Sequence, residues 1–439
     1  MLLEFSAGNY KSFRDPFVLS MIPAPKQKGL DYSILSEQIG KKKYRALSSA
    51  VLYGPNASGK SNIVSAMETF RMILLRGNIH NSDERQNPNV ASNLLELIPN
   101  IFLEKPEPVR FGIKCFTDGL LIEFAITLDI GCFTQTDYPR KILEESLRIN
   151  EEEIYSRDKG LNVGSLHSIE TFLLDSFEAN KEVALALAKG SLNPEELFLT
   201  NGFKTIVSSK LVELIRSWFD TKFMIVYRAD ALTVERTYPG TQVQRIHREE
   251  SLSKAMNEFG LDSHDIGFLQ ESGKDDTRLC SLLTSLHNQE SLAVPIEYFE
   301  SHGSIRFAHL FQLISIALRE GSVLVVDEFD ASIHPMAIMN IINIFHNDEI
   351  NINKAQLIFN THNPIYLDAN LFRRDEIKFV EYDDENHTSS IYSLSDFGTS
   401  GVSGVRKGND YMKHYFLDRY GAIRDLDFSY IFEESIGKE

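Results

Sequence analysis

Gly54-Pro-Asn-Ala-Ser-Gly-Lys-Ser61 decides the reading of this chain. The stretch fits G-x-x-x-x-G-K-[ST], a loop whose backbone N–H groups face a polyphosphate. Its context agrees with the pattern. Val51-Leu-Tyr53 in front reads as the end of a buried strand. Residues 62–75 behind read as a helix, with Ile63, Ala66, Met67, Phe70, Ile73 and Leu74 on one stripe. Unpaired N–H groups and the helix dipole then point the same way, which favours an anion. Gly54, Pro55, Asn56, Ala57, Ser58, Gly59, Lys60, Ser61 and Asn62 are the candidate contacts of a nucleoside triphosphate. Lys60 is placed to reach the β- and γ-phosphates, and the Ser61 hydroxyl to ligate Mg2+.

The 439 residues suffice for a large core and about two or three domains. Hydrophobic residues make up 43% and charged ones 24%, the balance of a globular chain. No apolar run reaches the length that spans a bilayer, so no membrane is expected. The opening Met-Leu-Leu-Glu-Phe carries an acid where a secretory leader carries bases. Cys115, Cys132 and Cys280 lie far apart without C-x-x-C spacing, as suits buried thiols in a reducing compartment. The cytoplasm is the expected location. The net charge of −17 gives no indication of DNA, because phosphate contacts need clustered Lys and Arg. DNA stays open as a partner, and a basic protein suits the charge equally well. The local basic runs are Lys26 to Lys28, Lys41-Lys-Lys43 with Arg45, and Arg373-Arg374. They read as solvated loops.

Residues 2–21 read as two short strands around Arg14-Asp15-Pro16, and 22–45 as a polar loop. Val109 to Phe116 and Leu120 to Asp129 form a hairpin through Thr117-Asp-Gly119. Glu145 to Ile149 and Glu153 to Arg157 make a second strand pair. Residues 165–220 are mainly helical in pattern, and Leu211, Leu214, Ile215, Trp218 and Phe219 read as a core stripe. Phe223 to Tyr227 reads as a strand, 234–250 as a flexible excursion and 251–259 as a helix.

A second cluster follows downstream. Ser322-Val-Leu-Val-Val-Asp327-Glu328 is an apolar strand ending in two acids, the Walker-B pattern. Asp327 would emerge at the carboxyl edge of a parallel sheet and share Mg2+ with Ser61. Glu328 would polarise the attacking water as general base. Ala355 to Thr361 is a further strand, ending in His362. One helix, about Met336 to Phe345, separates it from Glu328. A β-α-β step of that kind lays the two strand ends side by side, which would let His362 reach a γ-phosphate. Glu300-Ser-His-Gly-Ser304 precedes a long helix, residues 305–320, and can cap it or grip phosphate.

In this order the elements resemble the heads of ABC-type ATPases. The resemblance extends to Asn9-Tyr-Lys-Ser-Phe13, Glu300-Ser-His-Gly-Ser304, Asp327-Glu-Phe-Asp-Ala-Ser-Ile-His-Pro335 and Gln356-Leu-Ile-Phe-Asn-Thr-His362. It continues through Arg373-Arg-Asp-Glu-Ile-Lys-Phe-Val-Glu381, Tyr392-Ser-Leu-Ser-Asp396, Tyr415 and Arg419-Tyr-Gly-Ala422. With these motifs the chain resembles the RloA/AbiL-like AAA/ABC-type ATPases, relatives of the OLD-family ATPases. The ATPase subunits of PARIS antiphage systems are similar.

The resemblance implies an α/β fold, an ABC-type P-loop ATPase head. Its parts are a parallel core sheet, an antiparallel β-subdomain and a helical insertion. Residues 1–160 would be the N-terminal ATPase lobe, 161–290 a helical insertion or lid, and 291–439 the C-terminal lobe. It implies ATP and Mg2+ as ligands, and a homodimer or larger homo-oligomer closed head to tail around ATP. Ser301, Gly303 and Ser304 would be the signature acting on the partner's ATP. Ala331 to His334 would be the D-loop, and His362 the switch histidine. Lys60, Glu328 and His362 would carry catalysis, with Ser61 and Asp327 on the metal. His302 and Asn360 depart from the family pattern; spacing assigns no Q-loop glutamine, for which Gln86 is one candidate. A role in bacterial antiphage defence follows from the same resemblance. There the head would act as an ATP-dependent sensor or scaffold controlling a separate effector, such as a nuclease, encoded nearby.

Two alternatives come from neighbouring classes. OLD relatives carry a Toprim nuclease, whose acids Glu381, Asp425 and Asp427 could mimic, although Tyr382 stands where that motif needs glycine. A DNA-repair or DNA-tethering ATPase of the SMC class needs a long coiled coil, and residues 160–290 show no sustained heptads.

Overall fold

Every residue of Ser49–Tyr53 is buried. A computed structural model describes residues 1–439 except 26, 28, 81–94, 136–137, 228–231, 233, 235, 240–242, 261–264, 285–290, 399–403, 407–408, 425–426 and 437–439. In it this strand lies inside a six-stranded sheet. The order is Phe223–Val226, Val323–Val326, Gln356–Asn360, Ser49–Tyr53, Ile377–Asp383 and Thr388–Ser393. The first five strands run parallel and the last antiparallel.

A parallel sheet needs cover on both faces, and the alternation along Ser49–Tyr53 provides it. Ala50 and Leu52 join a core with Ile63, Met67 and Phe70. Val51 and Tyr53 join another with Phe307, Ile338 and Ile342. The first core belongs to the helix Lys60–Arg76, which stops at Gly77, where φ is 74° and the N–H bonds the Ile73 carbonyl. The second belongs to the helices His302–Glu320 and Pro335–His346.

A seven-stranded antiparallel sheet covers the far side of Lys60–Arg76. Its order is Leu161–Val163, Glu152–Arg157, Lys141–Ile149, Leu120–Asp129, Val109–Thr117, Leu2–Gly8 and Phe17–Ser20. Phe70 joins the layers, with ring centroids 6.1 Å from Phe5, 5.6 Å from Phe111 and 6.2 Å from Phe124. Phe219 meets Phe70 edge-on, and Trp218 is buried beside it, as the aromatic stripe predicts. Gln356 ties the two sheets at their edge. Its amide donates to the carbonyls of Leu2 at 3.0 Å and Leu47 at 2.8 Å. A parallel core sheet, a central P-loop helix and an antiparallel β-subdomain make this an α/β fold built around the P-loop.

Three readings change. Residues 22–45 are not all loop: Ile34–Ile39 and Lys42–Leu47 pair as a hairpin. The stretch 161–290, read as helical, is mixed. It holds helices at Lys181–Gly190, Ser209–Ser217 and Glu250–Glu258. It also carries most of a four-stranded antiparallel sheet, Arg245–Arg248, Asp265–Gln270, Thr277–Thr284 and Ser291–Pro295. The polar excursion 234–250 therefore supplies an edge strand. The third change concerns Arg373-Arg374, which is buried and not solvated. Arg373 bonds Asp375 at 2.9 and 3.0 Å, and Arg374 donates to the Leu394 and Phe397 carbonyls. Lys41, Lys42, Lys43 and Arg45 are exposed as read, while Lys26 and Lys28 lie outside the described residues. Cys115 and Cys280 are buried and Cys132 is half-buried, all as free thiols.

Candidate functional site

The sheet order puts three strand ends in a row: Val326, Asn360 and Tyr53. The strand Gln356–Asn360 stands between the Walker-B strand and the P-loop strand, so its end faces both. The β-α-β step through Pro335–His346 thus places the two strands as neighbours, in register Val326 to Phe359.

After Tyr53 the chain turns through Gly54 to Gly59. Gly59 has φ 109°, and an added Cβ would sit 2.6 Å from Ser389 Oγ and 2.7 Å from Ser12 Oγ, so only glycine fits. Those two serines brace the loop. Ser389 Oγ donates to Ser58 O at 2.7 Å, and Asn62 Nδ2 donates to Ser12 Oγ at 2.7 Å. Ser12 comes from Asn9-Tyr-Lys-Ser-Phe13, whose Tyr10 hydroxyl meets Ser65 Oγ at 2.8 Å on the P-loop helix. The sequence motif near the start is thereby a support of the loop. Sequence reasoning gave Ser12 and Ser389 no role, and only the fold brings them together.

Lys60 is 5% exposed. Its Nζ donates to the Gly54 and Pro55 carbonyls, each at 2.8 Å. Among the described residues it forms no ion pair. Burial pushes its pKa down to about 8, against the upward pull of Asp327 and Glu328. A buried cation at a helix N-terminus, held only by carbonyls, fits a polyanion.

Ser61 Oγ donates to Asp327 Oδ1 at 2.9 Å, so the two predicted metal residues meet. A hydroxyl beside a buried carboxylate is a donor set that suits Mg2+. Asn360 Nδ2 also donates to Asp327 Oδ1, and Asn360 Oδ1 accepts from the Glu328 N–H. Glu328 is exposed and has φ 50°, a left-handed conformation uncommon for glutamate. Arg306 donates to its carbonyl. His362 follows Thr361 at the middle strand end. Desolvation and the Lys60 charge hold its pKa below the ordinary value, while Asp330 and Asp327 pull the other way. The imidazole is therefore neutral at pH 7 and can accept a hydrogen bond. Burial raises the Asp330 pKa, and its first opposing influence is a hydrogen bond with Thr361.

Ser301 caps the helix His302–Glu320, accepting from the Ser304 N–H at 3.1 Å. This turn packs on the predicted D-loop: a Cβ on Gly303 would meet the Ser332 carbonyl at 2.3 Å. Ser301 and His302 are exposed. The structure brings P-loop, Asp327, Glu328 and His362 together in one chain, and the predicted signature turn to the predicted D-loop. Gln86 and Asp425 lie outside the described residues. Glu381 is exposed within the strand Ile377–Asp383, where it accepts from Tyr392 at 3.2 Å. Among the described residues, no group of three or more His, Cys, Asp or Glu could hold a metal, and no helix is long and apolar enough to cross a membrane.

A family model described as "AAA domain, putative AbiEii toxin, Type IV TA system" matches residues 49–368. The chain belongs to this AAA family. The matched span runs from the P-loop strand past His362, so it contains every strand end just described except that of Ile377–Asp383. Among solved structures, the SMC head domain from Thermotoga maritima is similar at 14% identity and a TM-score of 0.35. That alignment covers 89% of this chain and 98% of that one. No curated protein gives a significant match.

Proposed function

We propose that this AAA-family chain hydrolyses ATP, and that two copies close head to tail around Mg2+ and ATP. The single observation that carries the reading is Lys60, a buried cation beside Ser61 and Asp327 that has no ion pair among the described residues. Lys60 would leave the Gly54 and Pro55 carbonyls for phosphate oxygens. Ser61 and Asp327 would hold Mg2+, which when bound offsets charge developing on the phosphates. Glu328 would take the proton of the attacking water, and neutral His362 would orient from the neighbouring strand end. Beside Asn56 and Ala57 opens a cleft of about 660 Å3, walled by Ile98, Ile101, Phe102 and Tyr382. Apolar walls next to a phosphate loop suit a purine base.

The signature turn supports the dimer. It presents a capped helix N-terminus outward, and large apolar side chains flank it: Tyr298, Phe299 and Met336 are all exposed. A partner's triphosphate would satisfy the one and a partner's surface the other. Within the RloA/AbiL-like group, ATP occupancy would switch the dimer between two states and so hold or release an effector in antiphage defence. Among the described residues of 161–290 the α-helices have ten, nine and nine residues, too short for the coiled coil of a tethering ATPase.

The test is phosphate release and nucleotide binding by the purified chain. Lys60→Ala is expected to lose both. Glu328→Gln is expected to keep binding, lose about 10²- to 10⁴-fold in turnover, and accumulate an ATP-dependent dimer. Equal association of Glu328→Gln with and without ATP would sink the switch, and turnover indifferent to Lys60 would sink the site.

A further inference from the structure

Asn360 is 1% exposed and ends an apolar strand whose other side chains serve the cores, apart from Gln356. Both ends of its amide are used, and on consecutive residues. Nδ2 donates to Asp327 Oδ1, and Oδ1 accepts from the Glu328 N–H. The backbone adds a third link, from the Phe329 N–H to the Asn360 carbonyl at 3.3 Å. On the other side, the next residue, Thr361, donates its N–H to Leu52 O at 3.2 Å, on the P-loop strand. Asn360 therefore sits at the centre of the three strand ends and touches both acids of the Walker-B pair.

We infer that Asn360 is a positioning residue that sets the two acids for separate tasks. The inference rests on the ATPase reading above. The donated hydrogen bond turns Asp327 Oδ1 toward Ser61, which bonds the same oxygen at 2.9 Å. It also offsets the cost of burying a carboxylate. The accepted hydrogen bond fixes the peptide leading into Glu328, which holds φ 50°. A left-handed glutamate persists only where its surroundings impose it. Through this peptide Asn360 aims the Glu328 side chain away from the sheet while Asp327 stays buried against it. A hydroxyl at this position would supply one oxygen, where the amide spans two partners with separate donor and acceptor atoms.

The variants are Asn360→Leu, which keeps the shape and removes both bonds, and Asn360→Thr, which keeps one donor. Two readouts accompany steady-state turnover: binding of a fluorescent ATP analogue as a function of Mg2+ concentration, and thermal unfolding. For Asn360→Leu we expect kcat to fall about 10²-fold, as for a lost positioning contact. At saturating Mg2+ the KM for ATP should stay within about threefold, since Asn360 touches no phosphate-binding atom. The Mg2+ concentration for half-maximal analogue binding should rise several-fold, because Asp327 is no longer oriented. Asn360→Thr should recover the Mg2+ dependence before it recovers kcat. The inference is overturned if Asn360→Leu keeps kcat and Mg2+ dependence within about twofold of wild type. It is equally overturned if every loss tracks a lowered melting temperature and Asn360→Thr restores nothing beyond stability. Failure of the ATPase reading itself would look different: the wild-type chain would show no Lys60-dependent binding or turnover.

Discussion

The P-loop region and the turn at Ser301 to Ser304 are built in opposite ways. The P-loop side is finished within one chain: Ser12 and Ser389 brace the loop, Ser61 meets Asp327, and Asn360 links both acids. The turn at Ser301 to Ser304, the predicted signature, is closed toward the predicted D-loop by the close approach of Gly303 to Ser332. Beyond that it offers solvent a capped helix start and Tyr298, which is 80% exposed. Phe299 beside it is exposed as well, and apolar side chains grouped at the surface are what an interaction face presents. On the proposed reading, the contrast separates what one copy would do, bind nucleotide, from what would need two.

Complementation gives the largest expected effect on that comparison. Lys60→Ala spoils one half and leaves the signature intact. Gly303→Glu spoils the other, because any Cβ there meets a carbonyl at 2.3 Å. Each variant alone should fall to about 1% of wild-type turnover, the scale of a lost transition-state contact. Mixed in equal amounts they should recover a sizeable fraction, since one composite site per mixed dimer is whole. Turnover that stays at the level of the separate variants would break the head-to-tail pairing.

A smaller effect tests the apolar flank without touching the phosphate chemistry. Tyr298→Asp with Phe299→Asp should weaken ATP-dependent dimerisation by about tenfold or more, because two exposed apolar contacts become desolvated charges. Nucleotide affinity of the monomer should not change. Analytical ultracentrifugation of the Glu328→Gln background with ATP reads the first, and titration of a fluorescent analogue the second. An unchanged dimer would move the interface elsewhere.

The same contrast explains what the sequence makes legible. The P-loop unit is local: strand, loop and helix are contiguous, and the 3.6-residue stripe from Ile63 to Leu74 faces one core. The Walker-B strand and the His362 strand read as apolar runs for the same reason. Asn360 stands out only as a departure from a family pattern, because its partners depend on strand order, which no periodicity encodes. The sheet around Arg245–Arg248 is missed because short edge strands carry charge on both faces, and the resulting pattern looks like loop. Arg373-Arg374 misleads in the other direction: two adjacent arginines look solvated until Asp375 and two carbonyls appear beside them.

The smallest predicted effect sharpens the P-loop half alone. Burial holds the Lys60 pKa at about 8, below the ordinary lysine value. The ammonium favours a polyphosphate and the free amine does not, so affinity is full below that pKa and falls as pH rises through it. With a pKa of about 8 the charged fraction drops about fourfold between pH 7 and 8.5. Binding of a fluorescent ATP analogue in excess chelator, which removes Mg2+ from the question, should weaken by up to that factor. Bound phosphate raises the lysine pKa again, so the loss levels off once the pH exceeds the value in the complex. Lys60→Arg should flatten the profile, because guanidinium keeps its proton throughout this range. A wild-type profile as flat as the arginine variant's would mean that the lysine is already solvated and charged before nucleotide arrives. The P-loop half would then be as unfinished in one chain as the signature half.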